Sequence, residues 1–128
     1  MKTVLSMGRY IIVITVILLF ASCKKVDISA LTGTYVGEAC ASAFVNDTTG
    51  SGTHYVTTCE QDFVKVMIDP DRDDKLRIIY NGNRDVKVDN DLHFDDDDGC
   101  KGMFYGDSIM ITYEPNWTQA YWFRGKKQ

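Results

Sequence analysis

Apolar and polar residues alternate with a period of two along most of the chain after Thr32. Between positions 54 and 69, Val64 and Val66 share one face of an extended chain, whereas Phe63 and Lys65 share the other. No segment of this part carries a helical period. Alternation of this kind is typical of half-buried β-strands, so the pattern predicts an all-β domain.

Turn residues divide this pattern into about eight short strands, because clusters of Gly, Asn and Asp interrupt it regularly. Asn81-Gly82 is the strongest hairpin signal, since both residues tolerate positive φ. Consecutive hairpins predict an antiparallel up-and-down meander, and a sheet of this size curls because closure removes exposed edges. We expect a closed or half-open barrel, with a β-sandwich as the alternative; residues 33–38 open the first predicted strand, and the others are 54–69, 75–80, 85–88, 92–94, 101–105, 108–114 and 117–124.

The first 22 residues have a different pattern. Lys2 and Arg9 precede the apolar stretch 11–20, and no acid occurs among them. A run of about ten apolar residues fits a signal peptide and is much shorter than the ~20 residues that span a bilayer. The sequence 20–23, Phe-Ala-Ser-Cys, resembles the lipobox of bacterial lipoproteins. A plain secretory leader or an uncleaved anchor helix are the alternatives.

The lipobox resemblance implies an address and a division of the chain. In such lipoproteins the cysteine, here Cys23, receives a diacylglycerol and the chain is cut before it. Two or three acyl chains would hold the protein on a membrane, since a single chain binds only marginally. This predicts a signal peptide over 1–22, a lipid-anchor tether over 23–31 and a single domain over 32–128.

Charge narrows the range of partners. Residues 23–128 keep 12 of the 14 basic residues and all 18 acidic ones, so their formal net charge is −6. An acidic chain without a basic stripe does not replace phosphate counterions, so we expect no nucleic-acid partner. Lys24 and Lys25 follow the cysteine, whereas surface-displayed lipoproteins of Bacteroidetes-type cells tend to carry acids there. We therefore expect an anchor in the outer (or inner) membrane and a domain that faces the periplasm.

Two stretches resemble a known group of proteins. Residues 31–35, Leu-Thr-Gly-Thr-Tyr, resemble the opening strand of lipocalin- and avidin-like barrels. The hairpin at 101–113 and the aromatic strand at 121–127, which runs into Gly-Lys-Lys, are similar to small lipocalin-like (calycin-type) lipoproteins of Bacteroidetes. The resemblance implies a lipocalin/avidin-like barrel and an envelope location, and it implies little about activity, because fold does not fix function.

Three cysteines remain if Cys23 carries lipid. Cys40 and Cys59 flank a turn-rich segment, and a hairpin folded about positions 49 and 50 sets them opposite each other, which predicts a cross-strand disulfide. Cys100 is then left over. Pairings 59–100 and 40–100, or two buried free thiols, remain the alternatives.

The sequence offers no assembled catalytic or metal-binding set. His54 and His93 are the only histidines, and the cysteines lack Cys-x-x-Cys spacing. The acidic run at 69–74 does not form an EF-hand loop, because it has neither the glycine nor the glutamate that the loop requires. The four adjacent carboxylates at 95–98 repel one another, and a solvated loop relieves this repulsion without a metal. We expect no enzyme activity, no cofactor and no metal.

Aromatic residues are the strongest candidates for a binding site. Facing inward, they would line an apolar pocket or fill the core of a small domain; the six candidates are Tyr35, Phe63, Phe104, Trp117, Tyr121 and Phe123. Trp122 lies on the other face of the last strand and is a candidate contact for a protein partner. Thr48 and Ser108 lie in tripeptides that resemble Bacteroidetes O-glycosylation sites, and we expect both in turns.

These observations favour a lipid-anchored envelope binding module that takes a small apolar molecule or a peptide. The alternative is a periplasmic inhibitor or protein-interaction lipoprotein that acts through its loops.

Overall fold

The computed structural model describes residues 25–46 and 52–128, which form eight antiparallel strands and one 3₁₀ turn. The predicted all-β fold is confirmed. In the part of the chain so described, no helix is long and apolar enough to cross a membrane. The 3₁₀ turn spans Ile28–Leu31, and the strands are β1 (Gly33–Asn46), β2 (Thr53–Asp69), β3 (Arg72–Ile79), β4 (Asn83–Val86), β5 (His93–Asp95), β6 (Cys100–Tyr105), β7 (Ser108–Asn116) and β8 (Gln119–Lys127).

The strands form one sheet in the order β4-β3-β2-β1-β8-β7-β6-β5. Each strand therefore pairs with its neighbour in sequence, except at the join between β4 and β5. The first strand, β1, pairs with the last, β8, from Tyr35 opposite Lys127 to Ala43 opposite Gln119. The result is a nearly closed up-and-down barrel whose opening lies between β4 and β5.

Two glycines face each other where β1 meets β8. Gly37 lies opposite Gly125 in the register. A Cβ added to Gly37 would overlap the backbone carbonyl of Arg124, and one added to Gly125 would meet the ring of Phe123. The missing side chains allow a close backbone approach at this bend, which is a common use of glycine within strands.

Apolar side chains fill the end of the barrel at which β1 begins and β2 ends. Tyr35 and Phe104 pack with ring centroids 6.0 Å apart, and Tyr80 and Phe123 with centroids 5.6 Å apart. Around them lie aliphatic residues from both halves of the sheet: Val64, Val66, Leu76, Ile78, Val86, Ile109 and Ile111. This core hides the apolar face of every long strand, which is the main favourable contribution to folding.

The 3₁₀ turn packs against this core. Leu31 is buried, and its carbonyl oxygen accepts a hydrogen bond of 2.8 Å from the hydroxyl of Tyr35. The Nζ of Lys127 donates to the carbonyl oxygen of Ala30 at 2.9 Å. Part of the segment 23–31 that we assigned to the tether therefore belongs to the folded domain.

The first strand runs well past its predicted opening segment. β1 continues from 33–38 to Asn46, and its whole length pairs with β2. β3 pairs with β2 only from Lys65 to Asp69. The second half of β1 and the first half of β2 therefore extend past the filled core, and this extension shapes the candidate site.

Candidate functional site

A half-open cleft of about 220 Å³ lies beside the filled core, towards the end of the barrel at which β1 ends and β2 begins. Its walls are the inner faces of β1, β2 and β8 and the turn that follows β3. The lining residues are Ala39, Cys40, Ala41, Thr58, Cys59, Glu60, Asp62, Tyr80, Asn81 and Tyr121.

Small side chains on β1 leave the space open. Ala39 and Ala41 have the same parity as Tyr35, so all three point to the inside of the barrel. At Tyr35 a large ring fills the interior, whereas methyl groups at the two alanines do not reach across. The change from large to small side chains along one strand face converts a filled core into a cleft.

Two carboxylates face the cleft from β2. Glu60 and Asp62 have the same parity as the buried Val64, and both lie beyond the end of β3, where they are exposed. One oxygen of Asp62 accepts a hydrogen bond of 2.8 Å from the backbone amide of Phe63. Adjacent carboxylates on one wall create a negative potential that attracts cations.

Two tyrosines, from the end of β3 and from β8, also line the cleft. Burial raises the pKa of Tyr80 to about 12, and the negative charge of Asp62 adds to this shift. The phenol therefore stays neutral near neutral pH. Tyr121 is half-buried and stacks on Tyr113 with ring centroids 5.9 Å apart. Aromatic faces beside carboxylates suit a group that is both apolar and positively charged.

The six aromatic residues predicted to line a pocket do not act together. Tyr121 lines the cleft, whereas Tyr35, Phe104 and Phe123 are buried in the filled core. Phe63 is 61% exposed on the outer face of β2, so its predicted inward orientation is wrong. It alternates with Val64, which faces the core, and a strand cannot turn both residues to one side.

The inward orientation predicted for Trp117 is also wrong. The residue lies in the turn between β7 and β8 rather than in the last strand, and it is 80% exposed. The side-chain oxygen of Asn116 accepts a hydrogen bond of 2.9 Å from the backbone amide of Thr118. This local bond is typical of an Asx turn and ends the strand before Trp117.

The cleft residues Glu60, Asp62 and Tyr80 were missed by the sequence analysis. A signal for the first two was present, because they continue the parity of Val64 and Val66. Charged residues at inward positions of a strand mark the place where the strand leaves the core. Tyr80 closes a predicted strand, and its position depends on the turn at Asn81-Gly82.

A disulfide joins the outer faces of β1 and β2 beside the cleft. Cys40 lies opposite Cys59 in the register, and the S–S distance is 2.08 Å. The carboxylate of Glu38 lies within 4.8 Å of both sulfurs. Because both sulfurs are used in the disulfide, this group is not a thiolate metal site. Trp122 lies opposite Cys40 on the outer face and is half-buried.

The acidic loops use their carboxylates to hold the backbone. Asp69 accepts a hydrogen bond of 3.0 Å from the amide of Asp71. Asp96 accepts hydrogen bonds from the amides of Asp98 and Cys100, at 3.0 and 2.8 Å. These bonds are the ordinary chemistry of aspartate in turns.

The thiol of Cys100 is buried inside the barrel. Burial raises its pKa to about 11, and the carboxylate of Asp96 adds to the shift. The thiol therefore stays protonated near neutral pH, and a protonated thiol is a poor nucleophile.

Three of the predicted modification sites differ in their outcome. Cys23, predicted to carry lipid, and Thr48, predicted to carry a glycan, both lie outside the described residues. Ser108 directly follows the turn at Gly106-Asp107 as the first residue of β7, and it is buried. The glycan at Ser108 stays a prediction, and this burial does not favour it in the folded protein.

No protein-family model matches this chain, and no curated protein or solved structure matches it either.

Proposed function

We propose that this chain is a lipid-anchored binding module of the cell envelope, and that the half-open cleft is its ligand site. The observation that carries the proposal is the change along β1 from Tyr35 to Ala39 and Ala41. The same strand face is filled below and open above, beside two carboxylates and two tyrosines. A domain built only for packing has no need of an alanine-lined recess.

The composition of the cleft indicates the class of ligand. A volume of about 220 Å³ is below the range of about 300–1,000 Å³ that holds a whole drug-sized molecule. It is large enough for one side chain. The carboxylates of Glu60 and Asp62 favour a positive charge, and the rings of Tyr80 and Tyr121 favour an apolar stem. The ligand is a small amphipathic amine, or a lysine or arginine side chain of a peptide.

The envelope address is supported by the lipobox resemblance at 20–23. Mass spectrometry of the protein isolated from its native membrane tests it. We expect a chain that begins at Cys23 and carries acyl groups. A chain with its first 22 residues intact and no lipid would contradict the address without affecting the cleft.

Nuclear magnetic resonance of the full chain in detergent tests the cleft. We expect N-acetyl-lysine methylamide to shift the amide signals of Ala41 and Tyr121. N-acetyl-norleucine methylamide has a similar stem without the charge, and we expect it to shift them much less. Equal responses to both probes would contradict charge recognition, and no response to either would contradict the site.

Matched variants locate the interaction. Changing Glu60→Gln together with Asp62→Asn removes both charges from the cleft, and we expect it to weaken the response to the lysine probe at least tenfold. The control is Asp97→Asn, which removes one exposed charge from a distant loop. An equal loss in the control would mean that net charge, rather than the cleft, attracts the probe.

An exposed aromatic cluster favours the alternative function, an envelope protein that binds a protein partner through its loops. The ring of Phe44 packs on Tyr55 and Trp117, with centroids 5.1 and 6.1 Å apart. The hydroxyl of Tyr55 donates to the carbonyl oxygen of Trp117 at 3.3 Å. Exposed, preorganised aromatic residues are common at the centres of protein interfaces.

Photo-cross-linking in intact cells tests this alternative. A cross-linking amino acid at position 117 is expected to give one discrete adduct, and the same amino acid at the exposed position 105 is expected to give none. Identical adducts from both positions, or none from position 117, would contradict binding through this cluster.

A further inference from the structure

The first half of β2, Thr53–Gln61, has a free edge. β3 pairs with β2 only from Lys65 to Asp69. On the side of β2 that faces away from β1, no strand of the described residues lies beside Thr53–Gln61. All residues of this segment are exposed. A strand with one unpaired edge presents a row of backbone donors and acceptors to any other extended chain.

The geometry of the disulfide shows which backbone groups point to the free edge. The Cα atoms of Cys40 and Cys59 are 4.1 Å apart. Opposite residues in an antiparallel pair are about 4.5 Å apart when they do not exchange hydrogen bonds and about 5.5 Å apart when they do. The amide and carbonyl of Cys59 therefore point away from β1.

A second bond agrees with this assignment. Phe63 has the same parity as Cys59, and its amide donates to the side chain of Asp62 rather than to β1. By alternation, the outward groups of the free edge belong to residues 53, 55, 57, 59 and 61. The carboxylate of Asp62 occupies the amide of Phe63, so the available edge ends at Gln61.

The free edge lacks most of the features that usually prevent pairing; the inward-facing charge of Glu60 is the one that it carries. Residues 53–61 contain no proline and no lysine, and their pairing with β1 shows no bulge. They are rich in β-branched and aromatic residues, which favour strands.

We propose that a second copy of this chain pairs with the free edge in an antiparallel manner, with Thr57 on the two-fold axis. Thr53 then lies opposite Gln61 of the second copy, and Tyr55 lies opposite Cys59. In this register each outward amide and carbonyl from 53 to 61 meets a partner. The proposal goes beyond the ligand site and does not depend on it.

Side-chain pairing supports the same register, because an imidazole N–H can donate to a carboxylate that lies opposite it. His54 lies opposite Glu60 of the second copy, in a closely spaced pair that does not exchange backbone hydrogen bonds. By symmetry the contact occurs twice. The two Glu60 carboxylates do not face each other, so like charges are separated. A two-fold pairing also closes on itself, so this edge is not left open for further growth.

The mass of the full chain in detergent micelles, measured by native mass spectrometry, tests the proposal. We expect a dimer for the parent protein and a monomer for Thr57→Pro. Proline at this position removes an amide that points away from β1, so the barrel keeps its own backbone hydrogen bonds and loses one side-chain bond, from Thr57 to Ser42. A cooperative thermal unfolding transition for Thr57→Pro would show that the barrel still folds. A dimer that persists in this folded variant would overturn the proposal.

Charge reversal tests the register without proline. We expect Glu60→Lys to give a monomer and the double variant His54→Glu with Glu60→Lys to restore the dimer. Hydrogen exchange gives an independent readout, since the amides of 55, 57 and 59 exchange slowly only if they are paired. A monomeric parent with fast exchange at these amides would contradict the proposal, as would failure of the double variant to restore the dimer.

Discussion

The guanidinium of Arg84 and the carboxylate of Asp96 meet at 3.1 Å and link β4 to the loop after β5. These are the two strands between which the barrel is open. The carbon of the guanidinium lies 3.9 Å from the centre of the Tyr113 ring. The two charged side chains are only 10% and 14% exposed. A half-buried ion pair thus joins the two halves of the sheet where backbone pairing is missing.

Removing Asp96 is expected to destabilise the barrel strongly. Asp96→Ala leaves the half-buried charge of Arg84 without a partner, and a hydrogen bond between charged groups contributes about 1.5–3 kcal/mol. The control is Asp95→Ala, because Asp95 belongs to an exposed pair with Lys101, of the kind worth about 0–1 kcal/mol. Urea unfolding measures both. Equal losses in the two variants would mean that the ion pair does not link the halves of the sheet.

The disulfide is expected to stabilise the pairing between the second half of β1 and the first half of β2. Cys40 and Cys59 are 19 residues apart, and closing a loop of this size contributes about 3 kcal/mol. Replacing both cysteines by alanine is therefore expected to lower the free energy of unfolding by about that amount. Dithiothreitol should destabilise the parent protein and leave the variant unchanged. A similar effect of the reductant on both would show that its action does not depend on this bond.

Thiol labelling is expected to separate the folded and unfolded states. Cys100 is fully buried and its pKa is raised to about 11, so a disulfide reagent should not react with it in the folded protein near neutral pH. In denaturant without reductant, one thiol per chain should react if Cys23 is acylated. Rapid labelling of the folded protein at Cys100 would contradict its burial.

Stability is expected to fall at alkaline pH. Tyr80 has a pKa of about 12 in the folded protein against an ordinary value of 10.0. Below about pH 10 the phenol is neutral in both states and its contribution is complete; above it the unfolded chain loses the proton first, so the contribution is lost towards about pH 12. We expect Tyr80→Phe to reduce this alkaline loss, measured as the urea midpoint against pH. The control is Tyr105→Phe, at an exposed tyrosine, and an equal reduction in both variants would contradict the assignment to Tyr80.

The bend between β1 and β8 is expected to require glycine at position 37. A Cβ in Gly37→Ala would overlap the backbone of Arg124, and we expect a loss of at least about 3 kcal/mol. Gly106→Ala is the comparison, because that glycine has open space and a φ of 58°. Its expected cost is about 1 kcal/mol, from the left-handed backbone alone. Thermal unfolding that ranks the two variants in the opposite order would contradict the close approach of the strands.

The period of two and the turn chemistry determined the strands, since both act within a few residues. Asn81 and Gly82 have positive φ angles of 50° and 117°, as the hairpin signal predicts. The alternation also separates Val64 from Phe63 correctly. Hairpin symmetry placed Cys40 opposite Cys59, because residues at equal distances from a turn meet across two strands.

Tertiary structure alone decided which parts of those strands have neighbours. The inward face of β1 is core at Tyr35 and cleft at Ala41, and this depends on where β3 ends rather than on any local pattern. The closure through Gly37 and Gly125 and the bridge of Arg84 across the open side join residues far apart in sequence. Alternation determines which face of the sheet a side chain occupies. Only the packing of distant strands determines whether that face meets a core, a ligand or another chain.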